Sequence, residues 1–197
     1  MGNNWYKYQN LDPKTRGIVM NMDRAKVGKS PVKTRIKHPV SIFFKLGNSI
    51  TNPFDAIETI AIYERFSHEN GSVWISTDSL SRGMSPKRID EFNNAIQKNK
   101  IVQLYLIPGR SSKGNNEITH KAELLEITGD INRMTTPDVS LTPKEWQTEY
   151  KRIWLKVGKI KTCRSKKTTD FIVISSKKLL SDAISNSQYN FGYIEEI

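Results

Sequence analysis

The chain has 197 residues, enough for one well-packed domain or one domain with a basic extension. Its 31 lysines and arginines against 20 acidic residues give a formal charge of +11, which points to a polyanionic partner. The single cysteine, Cys163, excludes an internal disulfide and a cysteine-based zinc site, and no apolar run nears the ~18 residues of a membrane span, so a soluble, cytoplasmic protein without metal or cofactor is expected.

Residues 1–39 read as an irregular basic arm, broken by Pro13, Gly17, Gly28, Pro31 and Pro39. Within it the Lys26–Lys37 run has little to bury and is expected to be flexible. Gly28-Lys29-Ser30 resembles the end of a phosphate-binding loop, but Asp23 stands where that motif needs a glycine. Residues 40–197 read as the folded domain. It opens with a strand over Val40–Leu46, ended by Gly47-Asn48-Ser49. Ala56, Ile57, Ile60, Ala61 and Tyr63 after Pro53 predict a helix to about Phe66, and 68–71 then form a turn.

The stretch Ser72–Ile107 predicts a strand, a loop, a helix and a strand. Ser72–Thr77 is rich in β-branched and aromatic residues, as is Ile101–Ile107. Between them Ser85 and Pro86 make a helix start, and Ile89, Phe92 and Ile96 share one helical face. A polar hairpin loop over 108–116 leads to a strand over Ile118–Ile127, in which Glu123 reads as a solvated side chain. A second polar loop is predicted over Thr128–Thr142 and a strand over Tyr150–Val157. A basic loop over Cys163–Thr169, a short strand at 171–174 and a helix over Ser176–Ile184 follow. The elements predict an α+β fold with a strongly bent mixed sheet or small barrel flanked by short helices.

Charge is unevenly placed. Residues 1–40 hold net +7 and residues 151–178 net +9, which leaves the rest at −5. Two basic segments around a mildly acidic body fit phosphate binding, where lysine and arginine supply affinity without sequence information. Catalytic signatures are missing: no nucleophile elbow, no His-Glu-x-x-His and no glycine-rich phosphate loop. Glu58, Glu64, Asp78 and Glu123 form no metal-facing pattern, so a non-enzymatic protein is expected.

Trp154, flanked by Ile153, Leu155 and Val157, reads as core. Trp146 lies in a polar loop and Trp74 immediately before one, so the two rings are candidate walls of a slot for a planar base.

Gly71–Thr77, Gly83–Ile89 and the helix after them resemble the heart of a YTH domain. Val102–Ile107 resembles that family's next strand, Lys121-Ala122-Glu123 its Ala-Glu string, and Phe43-Phe44 the pair on its first strand. Trp146 and Trp154 are eight apart, as in some YTH domains. The wider group is the PUA-like superfamily, with the EVE domains and the reader domains of McrB-type modification-dependent restriction systems. The resemblance covers about residues 41–160 and implies a flipped N6-methyladenine held between aromatic or apolar side chains. Carried over, it nominates Trp74, Trp146 and Leu141 as walls, Ile75 and Ser76 as backbone contacts, and Asn48 or Ser49 as the polar residue after the first strand. Lys45, Lys87, Arg88, Lys166 and Lys167 are nominated for the nucleic-acid backbone. Residues 50–71 are longer than the family's link, and its Ser-Arg-Asp-like string has no match. These departures favour a restriction-type reader of methylated DNA, partnered by a motor or nuclease subunit, over an RNA reader. An interaction module without nucleic-acid binding and a small nuclease are the other classes weighed.

Overall fold

Local signals set most element boundaries. The computed structural model describes residues 12, 14, 34–48, 53–185 and 189–197. It divides the chain into Met1–Thr34 and Arg35–Ile197, and in the first unit Lys14 N–H donates to Asp12 Oδ1 at 3.0 Å. In the second unit, β1 (Val40–Leu46) is followed by α1 (Ala56–Asn70), β2 (Val73–Thr77), α2 (Pro86–Gln97) and β3 (Val102–Pro108). Next come β4 (His120–Met134), β5 (Lys151–Thr162), β6 (Phe171–Val173), α3 (Leu180–Ser185) and β7 (Phe191–Glu196). Helix α1 starts at a reciprocal cap in which Asp55 accepts from Glu58 N–H and Glu58 from Asp55 N–H, each at 2.9 Å. Ser85 caps α2, with Pro86 just inside.

The protein is mixed α+β, with one seven-stranded sheet in the order β2-β5-β4-β3-β1-β7-β6. Only the β1–β3 pair is parallel. Strand β1 lies between β3 and β7 and is buried along its whole length. Its even-numbered residues Ile42, Phe44 and Leu46 join the larger core, with Ile60 and Tyr63 of α1 and Phe92 of α2. Phe43, on the opposite face, joins a second core with Tyr105, Phe171 and Ile184. Three register shifts interrupt the β4–β5 ladder, and the one-residue bulges at Lys121/Glu123 and Leu124/Glu126 bend the strands and raise the local twist.

The structure differs from the sequence reading in several places. Helix α1 runs to Asn70 rather than Phe66, because Gly71 (φ 79°) closes it in the left-handed conformation that glycine tolerates. Strand β4 continues to Met134, through residues expected to be loop. Pairing with β5 holds that exposed end, and pairing leaves no apolar mark in the sequence. The last helix is confined to Leu180–Ser185. Strand β7, which no sequence expectation covered, inserts between β1 and β6. Residues 35–39 belong to the domain rather than to an arm: Arg35 pairs with Glu123, Lys37 Nζ lies 2.8 Å from Glu196, and Val40 N–H donates to His38 Nδ1 at 3.2 Å. The arm's remaining residues, apart from 12, 14 and 34, lie outside the described set.

Glu123 is a further correction. It is 7% exposed rather than solvated, because the Arg35 and Lys159 side chains both reach it from the outer face of β4 and β5. Burial raises its pKa, and the hydrogen bonds from Lys159 and Arg35 outweigh that, leaving it below the ordinary glutamate value.

Candidate functional site

A cleft of about 220 Å³ opens where the C-terminal ends of β1 and β2 meet the start of β5. In a flat sheet β1 and β2, four places apart, would lie roughly 19 Å from each other at about 4.8 Å per strand. One small cleft touches both, so the sheet curls through the bulged β4–β5 pair. Edge strand β2 pairs only with β5, so half of its backbone groups face away from any ladder partner.

Phe54, Tyr63 and Trp146 line the cleft together, and Phe44 of β1 is a fourth aromatic residue in its lining. Trp146 sits in a 3-10 turn over Lys144–Trp146, its ring 4.5 Å from Tyr63 and 6.5 Å, tilted 50°, from half-buried Phe54. Tyr63 backs Trp146 directly, whereas Phe54 and Trp146 form a wedge. Burial, then the nearby Glu149 and Glu145 carboxylates, raises the Tyr63 pKa well above the ordinary value, so its hydroxyl stays neutral. The polar side carries Asn48, Ser76, Asp78, Glu149 and Lys151. Ser76 Oγ donates to Glu149 Oε2 at 3.2 Å, and Lys151 Nζ lies 3.4 Å from Glu149 Oε1. Asp78 accepts from Arg152 N–H at 2.9 Å and pairs with Arg133 at 3.0 Å, which ties the end of β2 to the β4–β5 edge.

Of the nominated residues, the cleft gathers Lys45, Asn48, Ser76 and Trp146 from three separate parts of the chain. It does not gather Trp74, so the two-tryptophan slot does not form in this structure. Strand alternation turns Trp74 away from Val73 and Ile75, and these two share the larger core with Trp146. Trp74 is 2% exposed on the opposite face, under the Lys156 ammonium 5.8 Å from its ring, and its Nε1 has no partner among the described residues. Trp146 is itself buried, at 5% exposure, because α1 supplies the apolar surface that its own polar loop lacks. Trp154 is core, as expected, with Nε1–H donating to Met134 O at 3.0 Å. Leu141 is half-buried and outside the cleft lining, Ile75 faces the core, and Ser49 lies outside the described residues. The sequence reading missed Phe54, Tyr63 and Glu149. Phe54 beside Pro53, and Tyr63 on the apolar face of α1, carried a signal; Glu149 carried none.

The nominated cations fall into two groups. Lys45 Nζ donates to Ile184 O at 3.1 Å, and its burial lowers its pKa. Arg88 pairs with Glu91 at 2.6 Å and lies 4.7 Å from the Tyr193 ring centre, and Lys166 pairs with Glu196. Lys87 and Lys167 are exposed. The outer face of the sheet holds cations that were not nominated. Lys121 of β4 stands directly opposite Lys161 of β5, and among the described residues neither has a carboxylate in salt-bridge range. Like charges in cross-strand register repel, and Arg164 and Lys167, further along the chain, are exposed as well.

Among the described residues no group of three metal-ligating side chains is assembled, and no helix is long and apolar enough to cross a membrane. No family model, curated protein or solved structure matches the chain.

Proposed function

We propose that the chain is a non-enzymatic nucleic-acid reader that seats a single base, N6-methyladenine by the YTH resemblance, in the cleft between β1 and β2. The observation that carries the reading is the convergence of Asn48, Ser76 and Trp146, with Phe54 and Tyr63, around one cleft sized for a base. Trp146 keeps its assigned role as a wall, and Phe54 takes the place given to Trp74. A curled mixed sheet with helices packed on it is the arrangement that a PUA-like fold requires. The Lys121–Lys161 pair and the basic 163–167 loop supply phosphate contacts, which give affinity without discrimination. DNA is favoured over RNA, and the chain then serves as the specificity part of a larger restriction assembly.

The test is anisotropy binding to matched oligonucleotides, duplex and single-stranded, DNA and RNA, with a central adenine or N6-methyladenine. Binding should weaken steeply with salt through counterion release. Phe54→Ala removes a half-buried wall and should cost roughly tenfold in affinity for the methylated strand, since base–aromatic stacking is worth about 1–3 kcal/mol. The salt-dependent background should persist. Affinity that is flat with salt, or a folded Phe54→Ala protein with unchanged preference, would overturn the reading.

A further inference from the structure

We propose that Lys121 and Lys161 form a clamp for one phosphate group on the outer face of β4–β5, and that the bound phosphate relieves a repulsion built into the domain. The inference rests on the nucleic-acid reading above for the source of the phosphate, and it holds whether or not the cleft seats a base. Lys161 stands ten residues beyond Lys151 of the cleft lining, up to about 33 Å along β5. The phosphate held here is therefore several nucleotides from any base in the cleft.

The two lysines face each other across the ladder. Facing Cβ atoms of an antiparallel pair are about 4.5–5.5 Å apart, so both ammonium groups can close on one small anion. Ala122 and Ile160, their chain neighbours, belong to the larger core, and strand alternation turns Lys121 and Lys161 to the other face. Among the described residues no carboxylate offsets the pair. Glu123, two residues along β4, has Oε1 taken by Arg35 and Oε2 by Lys159 at 2.8 Å. Tyr105, opposite Lys121 on β3, is neutral, because burial pushes its pKa up to about 12. Lys159 adds a third ammonium: it and Lys161 are exposed on either side of buried Ile160. Lys159 takes φ 53° within a register shift, a conformation uncommon outside glycine, and such strain gathers at binding sites. Uncompensated like charges lower stability, and a bound counter-charge restores it. Phosphate suits the clamp, because its tetrahedral oxygens accept from two ammonium groups at once and lysine binds it as a point charge.

The experiment uses the full chain. Inorganic phosphate, compared with chloride at equal ionic strength, should raise the wild-type melting temperature, since a ligand bound only by the folded state stabilises it. Lys161→Gln removes the charge and keeps the length. Its melting temperature without phosphate should rise by about 1–3 °C, and the phosphate shift should be largely lost. For the strand as source, one unmethylated DNA strand is titrated over a range of salt. Lys121→Gln and Lys161→Gln should each lower the slope of log affinity against log salt by about 0.7–1. Lys98→Gln, at the exposed end of α2, gives the same net charge and should leave both readouts at wild-type values. A phosphate shift as large in Lys161→Gln as in wild type, a lower melting temperature for Lys161→Gln, or a slope that responds equally to Lys98→Gln would overturn the clamp and leave salt-dependent nucleic-acid binding standing. A phosphate shift that needs Lys161, in a protein that binds no strand, would support the clamp and overturn the nucleic-acid reading.

Discussion

Glu123→Gln is the sharpest probe of how the domain is held together. The side chain is 8% exposed and is gripped by Arg35, 27% exposed, and by Lys159, 71% exposed. Removing one partner of a fully buried ion pair costs about 3–5 kcal/mol. Lys159 is largely in water, however, and an exposed partner contributes about 1 kcal/mol or less. Arg35 keeps its bonds to Asn99 O and Lys100 O, and glutamine relieves some of the desolvation that opposes the native carboxylate. The net loss at neutral pH should be about 2 kcal/mol, or roughly 4–8 °C in melting temperature for a domain of this size. The pH dependence follows from the direction of the shift. Because the folded pKa lies below the ordinary value of 4.5, the contribution is complete above that value and disappears as pH falls through the folded pKa. Melting curves of wild type and Glu123→Gln, followed by circular dichroism, should therefore be separated at pH 7 and converge in acid. A cycle with Arg35→Ala isolates the pair from the rest of the network. Equal melting temperatures at pH 7, or a gap that does not narrow as the solution is acidified below pH 4.5, would refute the account.

Trp146→Ala should destabilise the domain by about 3–5 kcal/mol, because the ring is buried against Tyr63 rather than displayed on a loop. Denaturant melts check this, and Trp146→Phe is then the variant to carry into binding assays. Gly129→Ala would place a β carbon 2.3 Å from Arg152 O, so β4 and β5 must separate locally, with an expected loss of about 1–3 kcal/mol and weakened amide protection over Ile153–Leu155 in hydrogen exchange.

The sequence by itself determined the elements whose signals are local. Ser85 and Pro86 start α2 because a capping hydroxyl and a preset φ act within one turn, and Val40–Leu46 reads as a strand from its own composition. Asn48, Ser76 and Trp146 were nominated through a resemblance of short motifs in order, and all three line the cleft. Tertiary structure decided the rest, because those features depend on partners far along the chain. Strand β7 gains its place from pairing with β1, about 150 residues away, and the exposed end of β4 is a strand only because β5 lies beside it. Glu123 looks solvated until Arg35 and Lys159 reach it. Trp74 and Trp146 were separated by strand parity: one residue along a strand reverses the face, and only the packed core shows which face Val73 and Ile75 take. Phe54 and Tyr63 became neighbours of Trp146 when α1 packed against its turn, and Ser76 met Glu149 when β2 paired with β5.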